Sequence, residues 1–220
     1  ISNISDILPG GYKLVYHLTV ASGHTVTLEE GVSINQQNLD INVKGTLKAE
    51  YAEVADAFFS TTDGASLYVE KGGVVELQNA NINFSRYGEV YVYDGGCFSM
   101  TGGSMFASYY GTNIRSGGVM SLSGVEVKNT VTNQGTLEST DCTYSSYIKI
   151  STTTGLSGSN NTFMGECFRL DGFSGVTGDL LPFLSEDCSD EVYIGFYGNI
   201  YTTTISNISD ILPGGYKLVY

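Results

Sequence analysis

The chain has 220 residues, 41% hydrophobic and only 15% charged, with 23 Asp and Glu against 10 Lys and Arg for a net charge of −13. That balance argues against nucleic acid or an anionic membrane surface as the partner, since both demand clustered positive charge. No apolar run approaches the roughly 20 residues that cross a bilayer, so no membrane insertion is expected in this window, and abundant β-branched and aromatic residues argue against disorder.

The first sixteen residues, ISNISDILPGGYKLVY, recur without a mismatch at 205–220. Internal repeats are settled first, because a missed period misassigns the whole fold. Residues 1–204 are expected to form one complete repeat, with 205–220 opening the next identical unit. Beginning at Ile1 rather than Met, the chain is expected to be a processed product or a window cut from a longer polymer.

A shorter period lies inside the repeat. Gly23, Gly45, Gly73, Gly96, Gly118, Gly135 and Gly155 punctuate the chain, at a mean interval of roughly 22 residues that suits a solenoid repeat. Ile41, Val69, Val92, Ile114 and Val131 stand four positions before five of these glycines; Leu47, Val75, Phe98, Met120 and Leu137 stand two positions after. Period-2 alternation in each segment predicts short strands with one buried face. Three such strands in about 22 residues make one coil of a β-solenoid, and each coil stacks on the next through parallel strands about 4.8 Å apart. The expected fold is an all-β, right-handed parallel β-helix of about 9 coils per repeat, rising about 43 Å. Val69 over Val92 over Ile114, and Val75 over Phe98 over Met120, are the predicted ladders. A β-sandwich shares the short strands but gives no reason for constant apolar phase over five units.

Residues 7–49, ILPGGYKLVYHLTVASGHTVTLEEGVSINQQNLDINVKGTLKA, carry a recognisable pattern. It resembles the opening coils of right-handed parallel β-helix (pectin-lyase-like) domains in large bacterial surface and secreted proteins. The match falls on Leu18, Val20, Gly23, Val26, Leu28, Gly31, Ile34, Val43, Gly45, Thr46 and Leu47; Glu30 stands where that family often has Pro. The resemblance implies fold and setting far more than activity, because one fold hosts unrelated functions.

Enzymes of this fold that cleave acidic polysaccharides group Asp residues with His and Arg on an outer face. Here the histidines are His17 and His24, with no acidic triad beside them, and the arginines are Arg86, Arg115 and Arg169. General acid–base catalysis needs two ionisable groups within reach of one bond, and no such pair stands out. No catalytic residue, cofactor or metal ligand is expected. The acidic stretch Ser185–Glu191 lacks the Gly-x-Asp recurrence of calcium loops and reads as a solvated turn. The threonine runs at 152–154 and 202–204, with Ser60-Thr61-Thr62, are out of phase with the ladders and reflect β-propensity.

Tyr87, Tyr91, Tyr93, Tyr109 and Tyr110 cluster within two coils. They could stack on sugar rings or on a neighbouring filament, although Tyr91 and Tyr93 also read as out-facing residues flanking in-facing Val90 and Val92. Cys167 and Cys188 are separated by close to one coil length, which makes them a candidate disulfide; Cys142 could compete for Cys167. Asn3, Asn83, Asn160 and Asn207 open N-x-[ST] sequons and are candidate glycosylation sites.

The expected function is a non-catalytic structural repeat of a long extracellular β-helical fibre, filament or cell-surface stalk, with copies of the same repeat as end-to-end neighbours. The alternatives are a carbohydrate-binding adhesin shaft, with glycans or lateral filament contacts as partners, and a polysaccharide lyase or hydrolase of the pectin-lyase-like fold.

Overall fold

The computed structural model describes residues 12–13, 17–28, 34–36, 39–53, 58–61, 64–84, 87–108, 111–150, 155–171, 181–185, 193–197 and 217–219. These form a parallel β-solenoid whose three sheets hold 10, 7 and 8 strands. We call them sheets I, II and III, in the order the chain visits them within one coil. The first coil runs Leu18–Val20, Thr25–Leu28, Ile34–Gln36; the fourth runs Val90–Val92, Cys97–Thr101, Ser104–Ala107; the seventh runs Ile148–Ile150, Leu156–Ser159, Thr162–Phe163. Alternation drives the closure. In each three-residue strand of the pattern Leu67–Val69 or Val90–Val92, the outer two side chains are buried and the middle one faces out.

Ladders follow from this register. Val69 pairs with Val92 and Val92 with Ile114 in sheet I, while Val75, Phe98 and Met120 align in sheet II, as the apolar phase predicts. Sheet III adds Ile82 and Phe84 beside Met105 and Ala107. All ten of these are buried, and each contributes the transfer energy of a core side chain, about 1.5–3 kcal/mol for the larger ones. No coil covers its own apolar face; its neighbours do.

Two of the three corners of the coil repeat a recognisable turn. Between sheets I and II, Gly73, Gly96 and Gly118 lie so close to the preceding coil that a Cβ would collide with the carbonyl oxygens of Val43, Val69 and Val92 respectively. The glycine period is therefore a contact requirement between coils. Between sheets II and III the turn takes two residues. Its first position is left-handed in five successive coils: Asn79 (φ 53°), Gly102 (66°), Gly124 (63°), Asp141 (56°) and Asn160 (57°). Backbone hydrogen bonds run up this corner from Asn79 N–H to Thr101 O and from Gly102 N–H to Ser123 O, each at 2.8 Å.

Seven three-strand coils give about six full turns among the described residues, not nine. The coil length itself agrees with expectation. Across the seven coils, register partners in sheet I range from Val131 with Ile148 at the shortest separation to Ile41 with Leu67 at the longest, and these bracket the predicted period. Beyond Asp171 the described chain departs from the regular coil. A 3₁₀ turn, Leu181–Phe183, and a single bridge from Asn161 to Leu184 follow, while sheet I alone continues through Tyr193–Tyr197 and Lys217–Val219.

Candidate functional site

Sheet I carries the densest side-chain constellation on its outer face. The middle residues of successive strands align as Asn42, Tyr68, Tyr91 and Asn113. Tyr68 and Tyr91 stack at 5.6 Å between ring centroids with planes 22° apart, Tyr91 and Tyr93 stack at 5.6 Å and 12°, and Tyr68 and Tyr93 lie at 6.2 Å. Parallel strands place equivalent side chains one coil apart, so in-register tyrosines stack by construction.

Charge frames the rings. The Arg115 guanidinium sits 5.0 Å over the Tyr91 ring, donates to the Tyr91 hydroxyl at 3.4 Å and donates to Gln134 Oε1 at 3.3 Å. Such an arrangement combines cation–π attraction with a hydrogen bond. Glu89, just before the strand of Tyr91, has its Oε2 buried with no hydrogen-bond partner among the described residues. Desolvation raises the Glu89 carboxyl above its ordinary range, opposed by the Tyr91 hydroxyl and by Arg115. Desolvation likewise raises the phenols of Tyr68, Tyr91 and Tyr93. The result is an aromatic shelf with a cation and a partly buried carboxyl at its rim.

Of the five clustered tyrosines, Tyr91 and Tyr93 join this shelf. Tyr87 stands 58% exposed at the turn before sheet I, and Tyr109 and Tyr110 lie outside the described residues. Tyr68 escapes a search by nearness in the chain; its signal is its place in register with Tyr91, one coil earlier. A second ring–cation pair lies further along the same solenoid. There Arg169 lies 3.8 Å from the Tyr147 ring centroid, donates to the Tyr147 hydroxyl at 2.7 Å, and grips Glu166 through two hydrogen bonds of 3.0 and 2.6 Å.

His17 is exposed, and its Nδ1 accepts the Asp40 backbone N–H at 2.9 Å; His24 is exposed at a turn beside Ser22. Asn83 faces out from sheet III. Asn160 is exposed at the left-handed corner, where its amide donates to Asp141 Oδ1 at 2.5 Å. Cys167 is buried with its Sγ 3.7 Å from the Gly165 carbonyl oxygen. Its candidate partner Cys188, the sequons at Asn3 and Asn207, and the acidic stretch from Glu186 to Glu191 lie outside the described residues.

An open groove of about 760 Å³ runs over sheet III, lined in part by Asn83, Phe106, Glu126, Lys128, Asp141 and Thr143. Its Glu126 and Lys128 neutralise each other at 2.9 Å, and it offers one aromatic ring, so the sheet I shelf is the better candidate. Among the described residues, no group of three His, Cys, Asp or Glu is arranged to hold a metal ion, and no helix is long and apolar enough to cross a membrane. No family model, curated protein or solved structure matches this chain.

Proposed function

We propose that this chain is a non-catalytic structural unit of a long extracellular β-helical fibre, filament or cell-surface stalk, with copies joined end to end. One observation carries the reading. Sheet I runs as ten strands from Leu18–Val20 to Lys217–Val219, and the last of these belongs to the second copy of the duplicated segment. The opening of a further unit thus extends a sheet begun at Leu18. A solenoid ends in rows of unpaired strand edges, and a capping segment is what normally stops growth there. Electron micrographs of several units in tandem are the test: a rod lengthening by about 43 Å per unit, the nine steps between the ten strands of sheet I, supports the proposal, and unlinked globules refute it. Incubation with pectin or alginate, with and without Ca²⁺, checks the non-catalytic part.

A second reading is adhesion through glycan binding, favoured by the Tyr68–Tyr91–Tyr93 shelf with Arg115 at its edge. Stacked rings offer sugar faces a flat apolar surface, and the rim groups offer hydroxyls their hydrogen bonds. The two readings are compatible, since a shaft can carry its ligand site on its flank.

A further inference from the structure

The two copies of the duplicated segment do not occupy equivalent places. In the first, Tyr12–Lys13 pairs with Ile34 and Asn35 in sheet III. In the second, Lys217–Val219 pairs with Tyr193, Ile194 and Gly195 in sheet I. Lys13 and Lys217 are the same residue of the same sixteen-residue sequence, yet they lie in different sheets at opposite ends of the solenoid. The segment is therefore not committed to one partner strand. The edge of Tyr193–Tyr197, in turn, cannot distinguish Lys217–Val219 from Lys13–Val15, because the residues it would meet are identical.

We infer that the Tyr193–Tyr197 edge of sheet I is an acceptor for the Lys13–Val15 segment of a second copy of this chain, so that the duplicated sequence is an exchangeable joint between copies. This deepens the end-to-end reading of the proposed function and rests on it. Addition of an extended segment to a sheet edge draws affinity from main-chain hydrogen bonds and specificity from side chains at alternate positions. Both sources are unchanged between the two copies of the segment. What favours the chain's own Lys217–Val219 is tethering, which raises its effective concentration. Among the described residues, what the donor gives up is the pairing of Tyr12 with Ile34 and Lys13 with Asn35. The exchange is thus governed by concentration and by how firmly the resident strand holds.

Cross-linking of full-length chains tests this. In the resident pairing Gly195 is the register partner of Val219, whose counterpart in the first copy is Val15. Eight strand steps of sheet I separate Leu18–Val20 from Tyr193–Tyr197, about 38 Å, so one chain cannot bring residue 15 to residue 195 and any such link joins two chains. The donor carries Val15→Cys and the acceptor Gly195→Cys with Val219→Pro. In sheet I the residues in register with Leu218, such as Leu67 and Ile148, donate forward to the next coil. Alternation therefore aims the Val219 N–H back at Tyr193–Tyr197, and proline there removes a ladder donor. Both chains carry Cys97→Ser to remove an exposed thiol. Under mild oxidation we expect a 15–195 linked peptide by mass spectrometry. Its yield should rise with concentration, increase several-fold over an acceptor retaining Val219, and fall in excess synthetic ISNISDILPGGYKLVY.

Absence of that link overturns the inference when a control chain with Gly195→Cys and Val219→Cys closes on itself. Failure of the control to close overturns it as well, by removing the acceptor pairing. The fibre reading fails separately: links that form in material that never elongates refute the fibre and keep the joint, whereas tandem rods without the link keep the fibre and refute the joint.

Discussion

The Asn161 side-chain amide donates to the Ser139 carbonyl oxygen of the preceding coil at 2.7 Å. From the same fully buried side chain, Nδ2 also reaches the Phe183 carbonyl at 2.8 Å, and Oδ1 accepts from the Ser139 hydroxyl at 2.9 Å and the Cys142 N–H at 3.1 Å. One asparagine thus joins three successive coils through four hydrogen bonds, just where the regular three-strand pattern gives way to the 181–185 turn. Asn161→Ala strands several buried polar groups at once and should cost about 3 kcal/mol in denaturant unfolding. Its exposed neighbour sets the contrast: Asn160→Gly, at a left-handed φ of 57°, should stay within about 0.5 kcal/mol of the parent. Equal losses at the two positions would remove Asn161 from its role as a clamp.

Adjacent glycines separate two reasons for glycine. Gly72 is left-handed (φ 76°) with open space where a Cβ would go, whereas a Cβ on Gly73 would strike the Val43 carbonyl oxygen. Gly72→Ala should therefore cost about 1–2 kcal/mol, the left-handed penalty alone. Gly73→Ala forces neighbouring coils apart along backbone that cannot yield as a side chain would, and its loss should exceed that of Gly72→Ala by at least about 1 kcal/mol. Thermal melts of the two variants decide the order.

The solenoid is legible in the sequence because its core is one-dimensional. Val69, Val92 and Ile114 repeat a local pattern at nearly fixed spacing, and spacing survives in sequence without any knowledge of three-dimensional contacts. The left-handed corner is not, since Asn79, Gly102, Gly124, Asp141 and Asn160 share a conformation rather than an identity. The tyrosine shelf is half legible. Grouping residues by nearness in the chain finds Tyr91 and Tyr93; grouping them by coil register adds Tyr68 and sets aside Tyr87. The coil count differs for a related reason: dividing the whole repeat by one coil length presumes three strands in every coil, whereas among the described residues past Asp171 the sheets continue only as Tyr193–Tyr197 and Lys217–Val219 of sheet I.

Alkaline titration gives a signed prediction. Tyr51 is 2% exposed, and desolvation pushes its phenol up to about 12. Because the folded value lies above the unfolded one near 10, the neutral phenol favours folding fully below pH 10. That contribution is lost as pH climbs through 12. The parent should lose about 2 kcal/mol of stability relative to Tyr51→Phe between pH 9 and pH 12. A difference that stays flat across that range would show that the Tyr51 hydroxyl reaches water in the folded chain.

Glycan binding on the flank of sheet I makes the sharpest demand on side chains. Tyr91 is the centre of the shelf, stacked on both Tyr68 and Tyr93 and capped by Arg115. Removing its ring also frees the guanidinium it holds, so Tyr91→Ala should weaken any ligand found on a glycan array by at least about tenfold, some 1.4 kcal/mol. Arg115→Ala should cost less for a neutral sugar than for a uronic acid, whose carboxylate would lose a charge-assisted hydrogen bond. Tyr87→Ala, at an exposed turn, should leave the affinity unchanged. Stability bears on the interpretation, because Tyr91 faces out while Val90 and Val92 on either side of it are buried. Its truncation should lower the melting point by only a few degrees, so lost binding in a folded Tyr91→Ala chain is attributable to the shelf. Loss of binding in Tyr87→Ala with retention in Tyr91→Ala would place the ligand elsewhere.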